Sequence, residues 1–138
     1  MAHTITAVNT AGMAFEIEQD GHKFTVDADP SVGGENKGPR PKALLLSGLA
    51  GCTGMDVASI LGKMKMPYDK MTIEVAADLT DEHPRVYDRI HLKYILSGES
   101  LDRNKIEKAV ALSQEKYCGV TAMLAKVAEI DYEIVTSE

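Results

Sequence analysis

Apolar and polar residues alternate at the start of the chain. Thr4–Val8, Met13–Glu18 and Lys23–Ala28 read as three short strands, with Asn9–Gly12 and Gln19–Gly21 as the turns of a meander. The Asp20-Gly21 pair is a common hairpin signal. From Asp29 to Pro41 glycine and proline break the pattern, which predicts a loop. Pro41 suits the first turn of a helix predicted over Lys42–Met64. That helix is apolar nearly all round at its start, which implies burial on most sides. It is also rich in small residues, including Gly48, Gly51 and Gly54. Glycine in a helix interior costs roughly 1 kcal/mol against alanine. Close approach of a second backbone, from a neighbouring helix or a partner subunit, would offset that cost.

Alternation returns in Met71–Leu79 and in Val86–Leu96, where Ile90, Leu92, Tyr94 and Leu96 share one face. Ser100–Asp102 opens a helix carrying Ile106, Val110, Ala111 and Leu112 at helical spacing. A short helix, Val120–Val127, and a last strand, Ile130–Val135, complete the order βββ-α-ββ-α-α-β. This is an α+β class with antiparallel hairpins, and it predicts one domain over residues 1–138.

Composition narrows the function. With 138 residues, 44% of them hydrophobic, the chain can bury a core without disulfides. A net charge of −6 argues against nucleic-acid and anionic-membrane partners. Met1–Thr10 has neither the basic start nor the apolar core of a signal peptide. The strongly apolar stretch around Ala43–Ala50 is short of the ~20 residues that span a bilayer. A cytoplasmic location is the expectation. Two cysteines in that compartment are catalytic, redox-active or simply buried more often than a permanent disulfide.

Cys52 and Cys118 are the candidate chemistry. Cys52 sits between Gly51 and Thr53 in the long helix, where a small buried hydrophobe is an equal reading. A reactive thiolate there needs a nearby cation or helix N-terminus, and Asp56 one turn on opposes it if the two face each other. Arg40 is the nearest arginine in sequence. Cys118 is expected at the cap of the Val120–Val127 helix, with Lys116 close in sequence. The loop Gly33–Gly38 lacks the Gly-Lys-Ser/Thr ending of a phosphate cradle, the four histidines have no ligand spacing, and two cysteines match no usual zinc pattern.

Two segments carry a family resemblance. Gly38-Pro-Arg-Pro-Lys-Ala-Leu-Leu-Leu-Ser-Gly-Leu-Ala-Gly-Cys52-Thr-Gly-Met-Asp-Val-Ala-Ser-Ile-Leu61 resembles the first cysteine motif of the OsmC/Ohr family. Ser113-Gln-Glu-Lys-Tyr-Cys118-Gly-Val resembles its second. The resemblance implies an OsmC-like fold, with antiparallel sheets around a long cysteine-bearing helix, in an intertwined homodimer whose active sites lie at the subunit interface. It implies thiol-dependent reduction of organic hydroperoxides. Cys52 would become a sulfenic acid, Cys118 would resolve it as a disulfide, and an external thiol such as a dihydrolipoyl protein would reduce that. No metal or prosthetic group is implied. Family members place a glutamate at the start of the cysteine helix and an arginine in the N-terminal strands. Here Lys42 and Ala43 stand at the helix start, and no arginine precedes Arg40. Glu35 and Arg40 are the loop residues that would replace that pair, and Arg85 or Arg89, arriving from a strand, are the alternative arginines. A non-catalytic small-ligand-binding protein and a thiol sensor of the same fold are the alternatives.

Overall fold

A computed structural model describes residues 1–138, which form two compact units, Met1–Leu45 and Leu46–Glu138. In the first unit, β1 (Thr6–Ala11), β2 (Ala14–Gln19) and β3 (His22–Val26) make the antiparallel meander that the alternation predicts. The first turn is tighter than expected. Asn9 pairs with Phe15 inside the ladder, and its side-chain amide donates to the carbonyls of Gly12 (3.0 Å) and Ala14 (2.8 Å). The chain therefore reverses at Gly12 and Met13 alone. At the second turn Asp20 and Gly21 both take positive φ, as a two-residue hairpin loop requires.

The Gly-Pro loop that follows is organised by one buried carboxylate. Asp27, 2% exposed, accepts the backbone N–H groups of Ala28 (2.8 Å), Glu35 (3.0 Å) and Lys37 (3.1 Å). The Glu35 and Lys37 N–H groups hold its pKa below the ordinary carboxylate value. Gly34 and Gly38 let the loop lie against β3, because a Cβ on either would overlap the carbonyl of Ala28 or Thr25.

In the second unit, α1 (Leu44–Lys63) leads to β4 (Lys70–Leu79) and β5 (Tyr87–Ser97). α2 (Arg103–Leu112), a π-helical turn (Ser113–Tyr117), α3 (Gly119–Leu124) and β6 (Glu129–Ser137) follow. Asp102 caps α2 through the N–H groups of Asn104 and Lys105. The sheet order is β4-β5-β6. β4 and β5 form the expected hairpin, but β6 departs from the antiparallel expectation by lying parallel to β5. The α2–α3 segment is a crossover that returns the chain to the same end of the sheet, and a crossover yields a parallel pair.

Ile90, Leu92, Tyr94 and Leu96 are fully buried along β5, as the period-two pattern predicts. They cluster with Leu49, Val57 and Leu61 of α1 and Ile106, Ala109 and Val110 of α2. α1 itself is less enclosed than its composition suggests. Only Leu49, Thr53, Val57 and Leu61 are buried, one stripe at i, i+4 spacing. The opposite stripe of Gly48, Gly51, Met55, Ser59 and Gly62 is exposed, and a Cβ at Gly48, Gly51 or Gly62 would meet nothing within 4 Å. Only Gly54 has a close neighbour, the Ile73 side chain at 3.4 Å from such a Cβ. α1 is long and apolar enough to cross a membrane by length and composition, but its buried stripe belongs to the core of the unit.

The lowered value of Asp27 has a defined pH consequence. A depressed carboxylate contributes stability that is complete above its unfolded value and is lost as pH falls through the folded one. Hydrogen-exchange protection factors at the Glu35 and Lys37 amides should hold through neutral pH and fall only in acid. Asp27→Ala should remove them at neutral pH; unchanged protection in that variant would show that the carboxylate does not order the loop.

Candidate active site

The fold brings Cys52 and Cys118 together. Cys52 is half-buried on α1, one turn before Asp56. Cys118 is 3% exposed and is the N-cap of α3, where its Sγ accepts the Thr121 N–H at 3.4 Å. The two sulfurs and an Asp56 carboxylate oxygen all lie within 4.8 Å of one another. Both thiols are free. The π-helical turn places Cys118 there: it widens the last turn after α2 and ends in the extended backbone of Cys118, whose N–H donates to the Ser113 carbonyl at 2.8 Å. π-turns of this kind recur at functional sites.

A buried polar network backs the thiols. Thr53, fully buried on α1, is its hub, 2.7 Å from Ser113 Oγ and 2.6 Å from Tyr94 Oη. Gln114 Nε2 donates to Thr53 Oγ1 (3.1 Å) and to Tyr94 Oη (3.0 Å), and Ser113 Oγ donates to Asp56 Oδ2 (2.9 Å). Thr121 Oγ1 donates to Gln114 Oε1 at 3.3 Å. Each hydroxyl has one proton, so with Asp56 as a carboxylate the directions are fixed. Tyr94 donates to Thr53, Thr53 to Ser113, and Ser113 to Asp56. No buried side-chain polar atom is left without a partner. Burial pushes the Tyr94 hydroxyl up to about 12, against the lowering effect of its bonds to Thr53 and Gln114, so it stays a donor at neutral pH.

The thiol electrostatics are one-sided. Burial raises the Cys52 pKa first, and the neighbouring Cys118 and Asp56 add to it. The N–H of Val120 is the one influence in the other direction. Asp56 thus faces Cys52, the arrangement that opposes a thiolate. Beside Asp56 lies a shallow depression of about 220 Å³, lined also by Ser59, Ile60, Lys63 and Tyr117. A larger one, about 330 Å³, lies on the sheet around Asp78, Arg89, His91 and Asp131 and contains no thiol. The cysteines, rather than the volume, locate the chemistry.

Glu35 and Arg40 belong to the first unit and are engaged there. Glu35 pairs with Lys37 at 3.3 Å. Arg40 donates to the Gly38 carbonyl (2.8 Å) and to Asn36 Oδ1 (3.1 Å), with Asp29 at 3.9 Å. Thr53, Tyr94, Ser113 and Gln114 were not singled out as site residues by the sequence. One signal for Thr53 exists: a lone polar residue in the i, i+4 stripe Leu49–Thr53–Val57–Leu61.

A helix carrying one cysteine, a capped second cysteine beside it and a three-stranded sheet behind them define a class. The family model for OsmC-like proteins matches residues 34–133, and the chain belongs to that family. Protein YhfA of Escherichia coli K12 is 33% identical over 119 residues, 85% of this chain and 86% of that protein. A hypothetical protein from Aquifex aeolicus VF5 superposes with a TM-score of 0.84 at 28% identity, covering 100% of this chain and 99% of its own. An organic hydroperoxide resistance protein OsmC from Legionella pneumophila superposes with a TM-score of 0.74 at 17% identity, covering 98% and 97%, a likeness of fold.

Removing the hub hydroxyl should be costly. Thr53→Val keeps the shape but leaves the buried Tyr94 hydroxyl proton without its acceptor and takes one partner each from Ser113 and Gln114, a loss of about 1–3 kcal/mol. Denaturant unfolding measures it, and a change within about 0.5 kcal/mol, the range of ordinary surface substitutions, would show that the network is dispensable.

Proposed function

We propose that this protein is a cytoplasmic, homodimeric thiol peroxidase that reduces organic hydroperoxides. The observation that carries this reading is the meeting of two free cysteines, distant in sequence, one within α1 and the other at the cap of α3. Family membership supports it, as does the hydroperoxide resistance named for the Legionella relative.

The Cys52 thiolate attacks the distal peroxide oxygen, the O–O bond breaks, and the alkoxide leaves as an alcohol after taking a proton. Cys52 is then a sulfenic acid. The Cys118 sulfur attacks it, water leaves, and an intrachain disulfide forms. An external dithiol, of dihydrolipoyl type, reduces that disulfide and is itself oxidised. Arg40 and Glu35 are assigned the orienting of the peroxide. The exposed Gly48–Gly51–Met55–Ser59 stripe of α1 is assigned to a second copy, whose backbone would take up the space those glycines leave.

One observation favours a second reading. The Cys52 pKa is raised within the chain, and no cation contributes to it. A small-ligand-binding protein or a slow thiol sensor tolerates such a thiol, whereas a peroxidase needs dimerisation or substrate to supply the positive charge.

Stopped-flow mixing with cumene hydroperoxide separates these. In Cys118→Ser, one thiol should be lost rapidly, and in Cys52→Ser none. Equal, slow oxidation of both variants would remove the peroxidase reading. The pH dependence of Cys52 alkylation sharpens the outcome: a midpoint below the free-thiol range of about 8–9 in the dimer fits a peroxidase, and one above it fits the binding protein.

A further inference from the structure

We propose that Cys52, Asp56 and Cys118 form a binding site for a soft divalent metal ion, zinc foremost, in the reduced protein. The site goes beyond peroxide reduction and does not depend on it, since the metal would bind the thiols whether or not they turn over.

The first argument is the donor set. Two cysteine sulfurs and one carboxylate oxygen within 4.8 Å of one another supply three ligands of the kinds zinc takes. In a tetrahedral zinc shell such atoms lie about 3.5–3.8 Å apart, given bonds of about 2.3 Å to sulfur and 2.0–2.2 Å to oxygen. Closing from the observed spacing takes rotamer adjustments of about 1 Å. Cys52 and Asp56 are i, i+4 on one helix face, the spacing at which two helical ligands reach one ion. The fourth position is left for water. Two sulfurs favour zinc, cadmium or copper(I) over magnesium or calcium.

The second argument is the support behind the ligands. Ser113 Oγ holds Asp56 Oδ2, and Ser113 is fixed in turn by Thr53, so the carboxylate is oriented by a buried chain. The Thr121 N–H bonds to Cys118 Sγ, and the Val120 N–H favours the charged form of Cys52. Ligands held by outer partners in this way are a mark of metal sites.

The third argument is the charge. Asp56 is an obstacle to a peroxidatic thiolate, because it places a like charge beside Cys52. With a divalent cation at the centre the same carboxylate becomes a ligand, and the two thiols release their protons to solvent. The depression lined by Asp56, Lys63 and Tyr117 gives the ion a route from solvent to the carboxylate. The metal is an alternative occupant of the reduced site, and bound thiolates would be shielded from oxidation for as long as it stays.

The test uses the full-length protein, reduced and kept anaerobic. Zinc is titrated in competition with a chromogenic chelator, and cadmium is followed by its sulfur-to-metal charge-transfer absorption. Expected are one ion per chain and a cadmium band that falls by about half in Cys118→Ser, as one of two sulfurs is lost. Asp56→Asn should weaken zinc binding by about tenfold or more, and Asp56→Glu, which keeps a carboxylate, should restore most of it. Circular dichroism confirms that each variant is folded, and the wild-type stoichiometry and alkylation of both thiols, which should abolish binding, stand without any variant. Failure of the wild type to bind, or an Asp56→Asn protein that binds as tightly as wild type and as Asp56→Glu, would overturn the proposal. No peroxide enters these measurements, so their failure is distinct from failure of the peroxidase reading.

Discussion

The arrangement of this protein's thiols depends on one buried hydroxyl. Thr53 is the only polar residue in the buried stripe of α1, and its bonds reach β5 through Tyr94 and the π-helical turn through Ser113 and Gln114. Those elements are distant in sequence, and apart from the flanking Ser113–Asp56 and Gln114–Tyr94 bonds the π-helical turn meets α1 and β5 through non-directional apolar packing. Hydrophobic burial sets that they meet; the directional bonds set where along α1 they meet. Cys118 follows this turn directly, and Cys52 precedes Thr53 on the helix. A displaced turn would therefore separate the sulfurs.

The same network shapes the charge around the thiols. Its protons run from Tyr94 through Thr53 and Ser113 to Asp56, so the chain of donors ends on a carboxylate next to Cys52. A second unit of structure, held by Asp27, carries Glu35 and Arg40 with their own partners. Within the second unit the thiol faces the Asp56 carboxylate, and no cation offsets it. Peroxide chemistry then requires a cation brought by assembly or substrate, and metal binding requires none. The two proposed uses of one cysteine pair differ in what compensates Asp56.

Much of the fold is legible in the sequence because burial imposes a period. Ile90, Leu92, Tyr94 and Leu96 declare a buried strand face, Asp20-Gly21 a hairpin, and the cysteine motifs a family. The parallel pairing of β6 is not legible, since alternation marks a strand but not the direction of its neighbour. Nor is the exposure of α1: an all-round apolar helix looks the same whether its far side meets its own chain or a second copy. Thr53, Ser113 and Gln114 are not legible as site residues because a hydroxyl or amide has no periodic signature, and only its partners reveal its role. The sequence places Asp56 one turn from Cys52, but helix rotation decides whether it faces the sulfur. Glu35 and Arg40 are near the cysteine helix in sequence, but the structure ties each to neighbours within the loop.

The proposed function requires Cys52 and Cys118 to act as one redox pair within a chain. Mass spectrometry of peptides from the reduced protein, after one equivalent of an organic hydroperoxide and under non-reducing conditions, tests it most directly. An intrachain Cys52–Cys118 disulfide as the main product is the expected result. Cys52 halted at sulfenic or sulfinic acid, with Cys118 still a free thiol, would contradict it.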